Sequence, residues 1–162
     1  MEDRVDWVDE QGKRIDELID EYRFALHDSL NELSEEEARR RLVPSKTTLL
    51  GLVKHATFVE GVWFDQAITG RSYAEIGIAR TVDGSFTLWT TDTIASAQAD
   101  YRDRWATSAR NLHGRPFDEM VQGRGARPVW ALKLHVLREL AQHAGHADIL
   151  REQIMSSRPA RS

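Results

Sequence analysis

Three histidines and a glutamate recur at helical spacing near the end of the sequence. They are His135, Glu139, His143 and His146. At about 100° per residue, a helix brings all four onto one face, with Leu132 and Leu150 on the same face at its two ends. Because the leucines of an amphipathic helix point towards the interior, we expect this polar set to be buried.

Two imidazoles three residues apart on one helical face can bind a single metal ion. His143 and His146 form such a pair. His55 lies in the middle of another apolar stripe, where a neutral imidazole without a partner is costly. We expect it to supply the third ligand, with coordination positions left open for water or substrate. The sequence therefore predicts a divalent metal site formed by His55, His143 and His146.

Glu139 has three roles open to it at such a site. It can orient a ligand, bind the metal itself, or act as the catalytic base towards metal-bound water. His135 lies two turns before His143, too far to share the ion directly, and we interpret it as a core or supporting residue. His27 and His113 have no comparable neighbours and are interpreted as ordinary. The competing interpretation is that all the histidines are ordinary core or surface residues.

Apolar residues spaced three and four apart predict four long helices that carry these side chains. The helices cover about 4–32, 48–69, 91–112 and 128–155, with a short extra turn at 34–42. Gly70 is expected to end the second helix, and Asp92 to lie in the first turn of the third. Such amphipathic segments bury their stripes only by packing on each other, which predicts an all-α four-helix bundle.

Two long connections separate these helices. Residues 70–90 lack helical periodicity, and Phe86, Leu88 and Trp89 there are expected to form a short strand or an apolar flap. Residues 113–128 hold three of the ten glycines and two of the four prolines. This connection is longer than a bundle usually needs.

The composition limits the functional classes. The 162 residues predict one domain over 1–156 and a disordered tail at 157–162, and the absence of cysteine excludes disulfides and thiolate ligands. A net charge of −4 without a Lys/Arg cluster disfavours nucleic-acid binding. No apolar run approaches the ~18 residues of a membrane span, and no signal peptide is recognisable, so we expect no membrane association and a cytoplasmic location.

Two ungapped segments resemble the DinB-like superfamily. They run from Leu49 to Phe64, around His55, and from His135 to Glu152, around His143. The resemblance extends over nearly the whole chain and is strongest to uncharacterised domains common in mycothiol-producing bacteria. It implies a four-helix bundle of up-down-down-up order with one long crossover.

The same resemblance implies zinc or nickel held by one histidine of the second helix and two ligands of the fourth. His55 matches the first position, and His143 and His146 match the histidine cluster. Many relatives space the fourth-helix ligands four residues apart, however, and here the four-apart pair is Glu139 with His143. A His/Glu/His set is also known in the superfamily, so the sequence leaves open which two of Glu139, His143 and His146 bind the metal.

Characterised relatives are S-transferases or isomerases that use mycothiol or bacillithiol. The resemblance therefore implies a small-molecule thiol and an electrophilic substrate as partners, and the absence of cysteine is consistent with a nucleophile supplied by a cosubstrate. Arg124 and Arg127 are expected to bind an anionic group of the cofactor. Because relatives are often dimers, a homodimer is implied as well.

Two other functions compete with the thiol-dependent transferase. One is a metal-dependent hydrolase with Glu139 as the base. The other is a non-catalytic, metal-free bundle that acts in dimerisation or ligand binding.

Overall fold

The computed structural model describes residues 7–159 and is almost entirely helical. In chain order its elements are α1 (Trp7–Asp28), α2 (Glu35–Ala38), α3 (Leu49–Gly61), a π-helical segment (Val62–Gln66), α4 (Ala67–Thr69), α5 (Tyr73–Ile76), α6 (Val82–Ser85), α7 (Ile94–Leu112), β1 (Met120–Val121), β2 (Arg127–Pro128) and α8 (Val129–Ser156). The predicted all-α bundle is confirmed. Its up-down-down-up order stays a prediction.

The core lies between the long helices. α1 packs along α8, α3 packs along α7, and α3 also contacts α8. Each helix contributes an apolar stripe whose residues recur three or four apart, as an amphipathic helix requires. Fully buried members of this core include Leu26, Leu52, Tyr101, Leu132 and Leu140. The contact between α3 and α8 is the one that positions the site described below.

The second bundle helix is continuous from α3 through the π-helical segment to α4. Its first turn is capped by Thr48, whose hydroxyl accepts a hydrogen bond from the Gly51 amide at 3.0 Å. It ends at Gly70, which adopts a left-handed conformation at φ 75°. Both predicted ends are confirmed. The π-helical turn was not predicted, and such turns frequently occur beside functional sites.

The connection after Gly70 folds into two short helices, α5 and α6, and contains no strand within residues 70–93. The predicted position of Asp92 is wrong, because Thr93 caps α7 and Asp92 precedes the helix. Its carboxylate instead accepts hydrogen bonds from the Trp89 amide and the Lys54 ammonium group, both at 2.6 Å. This ion pair holds the connection against α3.

The second long connection contains the antiparallel pair β1–β2, with Val121 opposite Arg127. Its tip contacts the end of the second bundle helix, where the Gly123 amide donates to the Ala67 carbonyl oxygen at 3.0 Å. A Cβ atom at Gly123 would overlap the carbonyl oxygen of Gln66. Only glycine therefore permits this backbone approach, which places Arg124 beside the second helix.

Part of the predicted tail is bound to the domain. The Arg158 guanidinium donates to both carboxylate oxygens of Glu37, at 2.7 and 2.9 Å. Residues 160–162 of that tail, and residues 4–6 of the predicted first helix, lie outside the described residues. No helix within 7–159 combines the length and apolar character needed to cross a membrane.

A charged pair lies inside the bundle. Glu60 of α3 is 0% exposed, and its two carboxylate oxygens accept from Arg23 of α1 at 2.8 and 2.6 Å. The hydroxyl of Ser108 on α7 donates to the same carboxylate at 2.8 Å. This network ties three helices together, and each charge depends on its partner because neither is well hydrated.

We predict that Glu60→Leu destabilises the protein by about 3–5 kcal/mol, because it removes the buried carboxylate and leaves the Arg23 charge with only the exposed carboxylate of Asp20. The measurement is the free energy of unfolding in urea. The double variant Arg23→Met/Glu60→Leu is the matched control and should recover much of the loss, since it removes both charges. A loss below about 1 kcal/mol in the single variant would contradict the prediction.

A second prediction concerns Glu37. Hydrogen bonds from Arg158 and from the Ser34 amide lower the pKa of its carboxyl from 4.5 to about 2. Because the pKa is lower in the folded state, the ion pair stabilises the fold above about pH 4.5, and this contribution is lost as the pH falls to about 2.

Glu37→Gln should therefore be less stable than the wild type at neutral pH, and the difference should stay constant down to about pH 5 and shrink below about pH 4.5. Urea unfolding of both proteins between pH 7 and pH 3 measures this, and Glu36→Gln at the exposed neighbouring position controls for the loss of one negative charge. A difference that stays constant with pH would argue against the pair.

Candidate metal centre

Three side chains from two helices converge inside the bundle. His55 comes from α3, and Glu139 and His143 come from α8. One nitrogen or oxygen of each lies within 4.8 Å of those of the other two. The centres of the two imidazole rings are 4.6 Å apart with the rings nearly perpendicular, and His143 Nε2 is 3.5 Å from Glu139 Oε2. These three groups form a candidate metal site.

The apolar stripe of α8 explains which of its polar residues face this site. The buried apolar residues of that stripe are Val129, Leu132, Val136, Leu140, Ala144, Ala147, Leu150 and Ile154. At 100° per residue, His143 lies about 30° from the centre of the stripe and His146 about 90° from it. His143 is accordingly 9% exposed, whereas His146 lies at the edge of the stripe and is exposed.

His146 is outside the convergent group. Its ring centre is 5.7 Å from that of His143, and it lines a surface cleft together with Val43 and Ile149. The structure thus brings His55 and His143 together with Glu139, which the sequence left open as an alternative ligand. His146 lies at the surface. The role of His146 as a ligand stays a prediction.

The His55 ring is held by residues of the first long connection. Its Nδ1 lies 2.7 Å from the hydroxyl oxygen of Ser85, and the ring stacks on Phe86 with centres 4.0 Å apart. The imidazole is 4% exposed. The orientation of the His55 ring is therefore determined by these two contacts, while its other nitrogen remains available for a ligand.

His143 has no such support. Neither of its ring nitrogens has a hydrogen-bond partner among the described residues, although both are buried. The 3.5 Å separation from Glu139 is too long for a well-formed hydrogen bond. An unsatisfied buried imidazole is unfavourable, and native structures rarely keep one without a ligand or a functional reason.

Both imidazoles are neutral at physiological pH. Burial, and to a smaller extent the neighbouring His143, lower the pKa of His55 from 6.5 to about 3. Burial also lowers the pKa of His143, although the Glu139 carboxylate opposes this shift. Neutral imidazoles carry the lone pair that a metal requires. Two imidazole nitrogens and one carboxylate oxygen also form a donor set that suits zinc and similar divalent ions.

Glu139 lies between the buried site and the surface. One oxygen faces His143, while the other is 3.8 Å from His135 Nε2 and contacts the Arg138 guanidinium. The side chain is 21% exposed, so a molecule entering from solvent can reach it. The carboxylate is thus placed to interact both with a buried ion and with an incoming ligand.

Arg124 and Arg127 lie together over the indole of Trp63. Their guanidinium carbons are 5.3 and 5.5 Å from the centre of the Trp63 ring. Arg124 also donates to the Gln66 side chain and the Tyr73 hydroxyl oxygen, at 3.0 and 2.9 Å. We call Arg124, Arg127 and Trp63 the cationic rim.

His135 connects the cationic rim to the candidate metal site. The centres of its ring and the Trp63 ring are 4.2 Å apart, and its Nε2 faces Glu139. Burial lowers the pKa of His135, the Glu139 carboxylate opposes this, and the nearby arginine charges lower it further. The rim therefore lies close to Glu139, the partly exposed member of the three convergent side chains.

Comparison with known proteins identifies the family. Residues 14–156 match the family described as mycothiol-S-transferase. The chain belongs to the mycothiol-S-transferase family. This family is DinB-like, so the resemblance expected from the sequence is confirmed. Neither a curated protein nor a solved structure matches the chain.

For this mycothiol-S-transferase family member, sequence patterns missed two of the residues that surround the site. Ser85 lies 30 positions from His55 in a segment without periodicity, and nothing in the spacing connects them. The Thr81 cap that starts its short helix is recognisable as a helix start, but it does not indicate the contact. Trp63 lies in the π-helical turn, and the helical spacing does not predict this turn or the contact of Trp63 with His135.

Proposed function

We propose that the protein is a metal-dependent S-transferase that uses mycothiol as the cosubstrate. The observation that carries this proposal is the convergence of His55, Glu139 and His143, with both nitrogens of His143 buried and unpartnered. Membership of the mycothiol-S-transferase family supports the choice of thiol. A cytoplasmic location and a homodimer complete the proposal, and the homodimer rests on the resemblance alone.

We assign the metal to His55, His143 and Glu139, with zinc or nickel as the ion. The exposure of His146 and its position outside the convergent group favour Glu139 over His146 as the third ligand. The two histidines contribute neutral donors, and the carboxylate contributes one negative charge. Three protein ligands leave positions open for substrate, as in catalytic sites.

A bound divalent ion would supply Lewis-acid chemistry that lowers the pKa of a thiol at the site. The protein contributes no sulfur nucleophile, because the chain contains no cysteine. Glu139 would accept the thiol proton at the carboxylate oxygen that faces outward, and His135 lies 3.8 Å away to share it. The sulfur then forms a bond to the electrophilic carbon while the leaving group departs with its electron pair.

The cationic rim would bind the cosubstrate. Neither Arg124 nor Arg127 forms a salt bridge with a carboxylate among the described residues, so their N–H groups can donate to polar or anionic groups of a ligand. The exposed faces of the rim lie beside His135 and Glu139, which brings a thiol bound there close to the proposed base.

The first prediction of this proposal concerns metal content. Protein purified without a nickel column should contain about one transition-metal ion per chain, and His55→Ala and His143→Ala should lose it, because each removes a donor from a three-ligand set. Elemental analysis and zinc titration measure this. His146→Ala is the matched control and should retain the ion.

Two outcomes would count against this assignment. A metal-free wild type that also fails to bind added zinc would support the non-catalytic bundle. Loss of the ion in His146→Ala, together with its retention in Glu139→Gln, would favour the alternative ligand set.

The second prediction concerns the thiol. Conjugation of mycothiol to a chromogenic electrophile should depend on the protein, and Arg124→Ala or Arg127→Ala should raise the KM for mycothiol roughly tenfold with a smaller effect on kcat. Tenfold corresponds to about 1.4 kcal/mol, the size of a hydrogen bond made by a charged donor. Steady-state kinetics with varied mycothiol measures this.

Arg110→Ala provides the control for this test, since Arg110 is exposed on α7 and its guanidinium donates only to Thr107 among the described residues. Equal effects at Arg110 and at the rim would contradict the proposed binding site. Hydrolysis of an ester without any thiol would instead favour the metal-dependent hydrolase.

A further inference from the structure

Ser85 makes two hydrogen bonds that together determine where its single hydroxyl proton lies. Its oxygen is 2.5 Å from the Val82 carbonyl oxygen, which can only accept. The same oxygen is 2.7 Å from His55 Nδ1. Because the proton is donated to Val82, the Ser85 oxygen must accept from His55, and Nδ1 must therefore carry a hydrogen.

A neutral imidazole carries one ring hydrogen. With that hydrogen on Nδ1, the lone pair of His55 is on Nε2, and metal ligation by Nε2 requires this tautomer. In many metal sites the nitrogen that does not bind the metal donates to a carbonyl or carboxylate oxygen, which fixes the tautomer and the direction of the ring. Here a serine hydroxyl, itself held by a backbone carbonyl, occupies that position.

The segment that carries Ser85 is held independently of any ligand. Thr81 caps α6 by accepting from the Gly84 amide at 2.9 Å, and Asp83 of the same turn pairs with Lys46. The next residue, Phe86, stacks on the His55 ring. A Cβ atom at Gly51 of α3 would lie 3.3 Å from the Phe86 carbonyl oxygen, so the connection lies close against the helix.

We propose that Ser85 is a positioning residue that holds His55 as the Nδ1–H tautomer and directs its Nε2 lone pair towards Glu139 and His143. The role as a metal ligand rests on the proposed function, whereas the tautomer follows from the hydrogen bonds of the chain itself. His55 is therefore oriented before an ion binds. The first long connection contributes this organisation, and neither bundle helix of the site supplies it.

The tautomer can be measured directly in metal-free protein at pH 7. Long-range ¹H–¹⁵N correlation spectra of histidine-labelled protein distinguish a protonated Nδ1 from a protonated Nε2, and His55→Gln assigns the His55 signals. We expect Nδ1–H in the wild type. Ser85→Ala should shift the population towards Nε2–H, since Nδ1 then loses its acceptor.

Zinc affinity provides the second readout, measured by competition with a chromophoric chelator. Ser85→Ala should weaken zinc binding about tenfold to a hundredfold, as loss of a residue that orients a metal ligand typically does. Ser85→Thr keeps the hydroxyl and should restore both the tautomer and the affinity. A cavity of about 250 Å³ beside Ser85 has room for the added methyl group.

Ser156→Ala is the matched control, because Ser156 is exposed and its hydroxyl bonds only to the Gln153 carbonyl oxygen among the described residues. An Nε2–H tautomer in the wild type would overturn the proposal, as would Ser85→Ala with an unchanged tautomer and an affinity within twofold of the wild type. If the wild type binds no zinc, the proposed function fails, but the spectra still decide the role of Ser85.

Discussion

Packing α3 against α8 removes two imidazoles and part of a carboxylate from water, and the rest of the site depends on how that loss is compensated. His55 recovers a hydrogen bond from one side, whereas both nitrogens of His143 remain without a partner among the described residues. A bundle core is normally filled by apolar side chains of matching volume. Burial of these polar side chains thus destabilises the fold, and the surrounding apolar packing must offset this cost.

On another face of the second bundle helix, a buried polar group is fully paired. Five residues after His55, Glu60 is fully buried yet satisfied by Arg23 and Ser108. That network has no unpaired oxygen and links three helices, which fits a structural role. The two imidazoles at the α3–α8 contact are incompletely paired, because His143 has no hydrogen-bond partner among the described residues, and this fits a role in binding. One helix therefore carries two buried polar clusters that differ in how completely they are paired.

Short-range sequence rules predicted the helices and the burial of two site residues, His55 and His143. The caps at Thr48 and Gly70 follow from local backbone chemistry, and His55 and His143 follow from helical periodicity because each lies near the centre of an apolar stripe. His146 was less predictable, since a shift of the stripe centre by a few tens of degrees moves an edge residue out to solvent. Ser85 could not be found this way, because its contact joins an aperiodic connection to a distant helix.

The second long connection is attached to the second helix by contacts at Gly123 and Arg124. The connection meets the second helix through the backbone at Gly123, where any side chain would collide, while the neighbouring Arg124 projects from the anchored tip. The Arg124 side chain adds to this attachment, because its guanidinium donates to the Gln66 side chain and to the Tyr73 hydroxyl oxygen. Substitution of Arg124 would therefore alter the charge of the rim and the attachment of the connection together, while the backbone contact at Gly123 would remain.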